Sequence, residues 1–141
     1  VAENTFDLFE FLALLADENE FDTRLKSRNM HVFYHGPCQL RSHYVGQPAI
    51  ELLRRIPMLD VTESTAACCG VAGTYGLKTE KYSIARDIGA SLFAQIETAK
   101  PDCIVSDSES CRWWIEQHTG IKTAHPVELL ADAYPLRVRN R

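Results

Sequence analysis

Four of the five cysteines in this chain sit in short polar turns rather than in apolar runs. Cys38 closes the turn His35-Gly36-Pro37-Cys38, Cys68 and Cys69 stand side by side before Gly70, and Cys111 closes Asp107-Ser108-Glu109-Ser110-Cys111. Each turn precedes a helix-like segment, where the positive end of a helix dipole lowers a thiol pKa and favours the thiolate. Thiolates gathered from three turns would bind a soft metal such as iron or zinc. Adjacent cysteines differ from the CxxC of a zinc ribbon, because neighbours in one turn send their sulfurs apart unless the backbone bends sharply. Gly70 and Gly73 permit that bend, and a multi-iron cluster could then use both sulfurs. A free cysteine is commonly buried as a small hydrophobe, which suits any one of these positions but not four at one edge.

Cys103 reads differently. It opens the apolar run Cys103-Ile104-Val105, five residues before Ser108. At about 3.3 Å per residue it lies roughly 16 Å from that turn, too far to share a metal–sulfur bond near 2.3 Å. It is expected in the core. His35 and His125 fall in the same edge set as the turn cysteines and are expected to order the site by hydrogen bonding rather than to bind metal directly. His31, His43 and His118 have no such placement. Gly70, Gly73 and Gly76 match neither the GxGxxG nor the P-loop spacing and are read as turn formers. Of Trp113 and Trp114, at least one should pack into the core.

The elements that must position these residues alternate. Four times a short strand-like run leads through a turn holding Cys or His into a helix-like segment, the pattern of a parallel α/β sheet. Met30–Tyr34, Leu59–Val61, Cys103–Ser106 and Ile121–Thr123 are the strands. The helices fall near Gln47–Ile56, within Glu80–Ala99 with Ala85, Ile88, Leu92 and Ile96 on one face, after Cys111 to a stop at Gly120, and from Pro126 onward. A leading amphipathic helix over Thr5–Ala16 takes Thr5 as N-cap and presents Leu8, Phe11, Leu12 and Leu15. The fold class expected is α/β: one domain over 1–141, a mostly parallel sheet of about four strands flanked by helices, with a leading N-terminal helix. In an open parallel sheet ligands bind beyond the carboxyl ends of the strands, where every one of these turns lies.

At 141 residues, with 45% hydrophobic and 24% charged residues, the chain suits a single cored domain and is too apolar for a disordered segment. A net charge of −4 and a pI near 5.7 leave no basic field for nucleic acid. No apolar run approaches a bilayer span, and the first residues lack a secretory pattern. An odd number of cysteines, two of them adjacent, is a poor disulfide framework and points to a reducing, cytoplasmic setting. The arginines of the tail Arg137–Arg141 are read as solvated.

With these residues in view, the chain resembles the cysteine-rich CCG domain shared by the B subunit of heterodisulfide reductase, the iron–sulfur subunit of glycolate oxidase and the C subunit of anaerobic glycerol-3-phosphate dehydrogenase. The resemblance rests on His35-Gly36-Pro37-Cys38, Cys68-Cys69-Gly70-Val71-Ala72-Gly73, Ser108-Glu109-Ser110-Cys111-Arg112-Trp113 and His125-Pro126-Val127-Glu128-Leu129-Leu130. The last two stretches are most similar to the glycerol-3-phosphate dehydrogenase branch. Members of that branch also carry an N-terminal ferredoxin-like part, so the resemblance implies that this chain is the C-terminal part of a longer iron–sulfur subunit. It further implies a cluster of 4Fe–4S type held by Cys38, Cys68, Cys69 and Cys111, with Ser108 beside it and His35, His125 and Gly70 arranged around it. The subunit would carry electrons from a flavoprotein dehydrogenase to a membrane-anchor or quinone-reducing partner, peripheral to the inner face of the cytoplasmic membrane. The domain alone is not expected to be a catalyst.

The family's third block is normally CxxC, and Ser108 stands at its first position; Gln39 stands where a His often follows the first cysteine. A serine oxygen is a harder ligand than a thiolate, which leaves zinc, or a single iron, as an alternative to the cluster. Two other functions stay open: a thiol–disulfide reductase of the heterodisulfide type using Cys68 or Cys69 as nucleophile, and a structural zinc module that docks a partner.

Overall fold

The computed structural model describes residues 5–18 and 20–135; the arginine tail lies outside the described residues. Its elements run α1 (Leu8–Asp17), β1 (Met30–Tyr34), α2 (Cys38–Ser42), α3 (Pro48–Leu53), β2 (Leu59–Glu63), α4 (Tyr82–Ala99), β3 (Cys103–Val105), α5 (Glu109–Thr119), β4 (Thr123–Ala124) and α6 (Pro126–Ala133). The four strands form one parallel sheet in the order β2-β1-β3-β4. The expected α/β class, with its parallel sheet and leading helix, is what the structure shows.

The sheet is covered on both faces, so its strands alternate between two apolar layers. On β1, Val32 and Tyr34 join the layer built with α1, α3 and α6, while Phe33 joins the layer built with α4 and α5. On β3, Cys103 and Val105 take the first layer and Ile104 the second. Cys103 is thereby buried at the start of β3, in a different layer from Cys69 and Cys111.

Three local expectations shift. The first helix begins later, because Asp7 forms a capping box: its carboxylate accepts from the Phe9 amide at 2.9 Å, and Glu10 accepts from the Asp7 amide at 3.1 Å. Phe9 and Ala16 are its buried residues, with Leu12 packed beside them, whereas Leu8, Phe11 and Leu14 face outward. This helix is apolar at every position except Glu10 and Asp17, so periodicity alone selects no face. On α4 the buried positions are Ala85, Gly89, Leu92 and Ile96, and Ile88 is 53% exposed. The fourth strand is displaced to Thr123–Ala124, where it pairs with Ile104 and Val105.

Three other helix ends fall where the sequence marks them. Gly120 takes φ +69 at the end of α5, and Pro48 and Pro126 open α3 and α6. Trp114 is buried in the second layer while Trp113 is half exposed.

Candidate metal centre

The strand order places β1 at the point where the chain changes its direction of winding, so the turns after β1 and β3 diverge and leave a crevice beyond their carboxyl ends. The three cysteine turns meet there. A cavity of about 270 Å³ is lined by Cys38, Cys68, Cys69 and Cys111 together with Ser108 and the 71–73 turn.

Each side chain has a local reason for its place. Cys38 is the first residue of α2 and is exposed. Arg41, one turn on, donates to the Ala66 and Ala67 carbonyls at 3.1 and 2.7 Å and so ties α2 to the segment entering Cys68. The two adjacent cysteines part company at the bend: Cys69 is buried, whereas Cys68 is half-buried and its sulfur accepts from the Gly70 amide at 3.3 Å. Gly70 adopts φ +97, and a Cβ there would stand 2.0 Å from the Ala85 carbonyl of α4. Gly89 of α4 faces the same loop, where a Cβ would meet the Cys69 carbonyl at 2.4 Å. The CCG loop thus lies backbone to backbone on α4, a packing that only two glycines allow.

Cys111 sits in the first turn of α5, and its sulfur accepts from Cys69 Sγ at 3.0 Å. Ser108 is the N-cap of α5: its hydroxyl accepts from the Cys111 amide at 3.5 Å and lies 3.1 Å from the Ser110 hydroxyl. His35, fully buried at the end of β1, comes with Cys69 and Cys111 into one group whose donor atoms all lie within 4.8 Å. Cys38 and Cys68 line the same cavity outside that tight group.

The expectation of uniformly acidified thiols is corrected by burial. Cys69, donating to Cys111 and removed from water, has its pKa pushed well up. Cys111 is pushed down, because Cys69, Ser108 and Arg112 favour its thiolate. Desolvation and the nearby Cys68 and Cys111 sulfurs raise Cys38. One negative charge shared by the buried pair is therefore stable, and a second needs a cation.

His125 stands elsewhere. It caps α6, Nδ1 accepting from the Val127 amide at 3.2 Å, and packs beside Phe9 with ring centroids 6.0 Å apart. Nearby, burial raises the pKa of Asp107 against the opposing hydrogen bond from Tyr34. Asp107 accepts from the Tyr34 hydroxyl at 2.6 Å. A wider cleft of about 670 Å³, lined by Trp113, Leu77, Val71, Gln39, Asp107 and Ser108, adjoins the cysteine cavity.

Sequence reasoning missed Gly89, Arg41 and Ser64, whose hydroxyl lies 3.3 Å from His35 Nδ1. A glycine in the middle of a long helix signals close approach by another backbone, and that signal was present. Arg41 and Ser64 act through contacts between distant segments that spacing does not reveal. Among the described residues, no helix is long and apolar enough to cross a membrane.

A family model described as a cysteine-rich domain, CCG, matches residues 32–116. The C subunit of anaerobic glycerol-3-phosphate dehydrogenase of Escherichia coli K12 is 45% identical over 109 residues, covering 77% of this chain and 28% of that protein. The B subunit of the CoM/CoB fumarate reductase of Methanothermobacter marburgensis is 31% identical over 140 residues, 93% of this chain and 27% of that one. An uncharacterized iron–sulfur protein of Methanocaldococcus jannaschii is 32% identical over 93 residues, 65% of this chain and 19% of its own length. The chain thus spans between about a fifth and 28% of the length of these relatives. No solved structure matches it.

Proposed function

This chain belongs to the cysteine-rich CCG family, and from that membership we propose that it is the metal-binding part of an iron–sulfur electron-transfer subunit in an anaerobic glycerol-3-phosphate dehydrogenase-like complex. The observation that supports this most is the meeting of four thiols from three turns in one cavity, two of them with sulfurs 3.0 Å apart. Cys38, Cys68, Cys69 and Cys111 are the proposed ligands of a cluster of 4Fe–4S type.

The donor set fits such a group: soft thiols, a buried imidazole, and a sulfur pair that needs a cation before it can lose both protons. When bound, the cluster supplies one-electron chemistry at a potential set by its ligands and burial. The chain's residues do the rest. Arg41 holds α2 against the CCG loop. Ser108 fixes the first turn of α5 and, with Arg112, favours the Cys111 thiolate. The buried Cys69–Cys111 side keeps water away, while exposed Cys38 opens the centre toward a partner. The electron donor in this reading is a flavoprotein, and the acceptor is a quinone-reducing or membrane-anchor partner on the cytoplasmic face.

Iron and acid-labile sulfide, measured after anaerobic purification and reconstitution, test this proposal. Comparable iron and sulfide that fall together in Cys69→Ser are expected; zinc without sulfide would overturn it. The tight spacing of His35, Cys69 and Cys111 supports that second reading, a single zinc ion in a docking module.

A further inference from the structure

The geometry points to His35 as a direct ligand of the metal centre, its imidazole joining Cys69 and Cys111 there. This inference rests on the cavity being a metal centre. His35 leaves β1 with its amide donating to the Val105 carbonyl at 2.8 Å, so its backbone is fixed between the two strands that flank the crevice. Its side chain is 0% exposed. Nδ1 lies 3.3 Å from the Ser64 hydroxyl, and Nε2 is buried with no hydrogen-bond partner in the structure.

A buried ring nitrogen without a partner is rare in a folded protein, and here it belongs to a ring lying within ligand spacing of two sulfurs. Metal–sulfur bonds near 2.3 Å and metal–nitrogen bonds near 2.0–2.1 Å at a tetrahedral centre put the donors roughly 3.6 Å apart. The 3.0 Å sulfur pair would open slightly around a metal, and a nitrogen within 4.8 Å would close slightly. Ser64 on the opposite nitrogen is the arrangement by which a ligating imidazole is oriented and kept in one tautomer.

The same geometry accounts for Ser108. Its hydroxyl is engaged with the Cys111 amide and with Ser110 at the start of α5, which is a cap's role. The nitrogen of His35 supplies a further donor beside the sulfur pair. Mixed nitrogen and sulfur ligation shifts a cluster's potential upward relative to all-thiolate ligation, so His35 also acts on the redox poise.

The test uses the protein labelled with ¹⁵N-histidine, loaded anaerobically with ferrous iron and sulfide, reduced, and read by pulsed EPR; a sample loaded with zinc alone is read by X-ray absorption at the zinc edge. Expected are a histidine nitrogen coupling in the first and an imidazole shell in the second. Both should persist in His125→Asn and be lost in His35→Cys while metal stays bound. The wild-type label answers the question even where His35→Cys fails to fold. Metal that is bound and cysteine-dependent but shows sulfur ligands alone would overturn His35 as ligand and leave the centre standing. Absence of bound metal in both samples would overturn the centre and this ligand with it.

Discussion

Replacing Gly89 by Ala sets two effects against each other at the site itself. In an exposed helix interior the change adds about 0.8–1 kcal/mol of stability, because glycine is the costlier residue there. On α4 the new Cβ would stand 2.4 Å from the Cys69 carbonyl oxygen, 1.0 Å short of the 3.4 Å at which ordinary contact begins. The Phe93 ring atoms at 3.0 Å can rotate away, but the carbonyl belongs to backbone, and the loop is already pressed onto α4 at Gly70. Overpacking of this kind costs about 1–3 kcal/mol, and the rigid partner argues for the upper end. The expected net loss is therefore about 2 kcal/mol in urea unfolding of the metal-free protein. Relief of the clash moves Cys69, so metal affinity measured by chelator competition should fall about 10–100-fold, as when the support of a ligand is removed. Ile88→Ala, one residue away and outward-facing, should change neither quantity appreciably. A Gly89→Ala protein that is about 1 kcal/mol more stable and binds metal normally would refute the close packing of the CCG loop on this helix.

Cys69→Ser should abolish most metal binding, whereas Cys103→Ser, altered in the opposite layer, should bind metal normally while losing about 1–3 kcal/mol of stability from a hydroxyl buried without a strong partner; metal analysis with urea unfolding checks both. Ser108→Cys should raise iron and sulfide occupancy after reconstitution, since residue 108 heads the turn that presents Cys111, and unchanged occupancy would place it outside the site. In the metal-free protein, desolvation and the positive Arg41 lower the His35 pKa to about 4. The unfolded chain takes up that proton from near pH 6.5 downward, so stability is full above pH 6.5 and is lost as pH falls toward 4, by at most about 3 kcal/mol. His35→Gln should flatten that part of the stability profile.

The parallel sheet was legible because four apolar runs alternate with helical segments, and because prolines and Gly120 punctuate them. The separation of Cys103 from the turn cysteines followed from counting residues along a strand. What spacing did not give are features that arise only when distant segments touch. The outward face of α1 was settled by the Asp7–Glu10 capping box and by Phe9 packing beside His125, on a helix too uniformly apolar to choose for itself. Gly89 displaced Ile88 from the buried face because a loop backbone, not a side chain, covers that stretch of α4. The closeness of His35 to the Cys69–Cys111 pair depends on β1 and β3 being neighbours, a pairing between residues about 70 apart in the chain.

The proposed electron-transfer role requires these thiols to hold a redox-active iron centre. Its most direct measurement is a mediated redox titration of the anaerobically reconstituted protein, followed by visible absorbance. Such a centre should give charge-transfer absorbance that bleaches on one-electron reduction, returns on reoxidation, and is missing from Cys69→Ser and Cys111→Ser. A colourless, zinc-containing protein with no reversible change over the range of iron–sulfur potentials, roughly −700 to +450 mV, would contradict it.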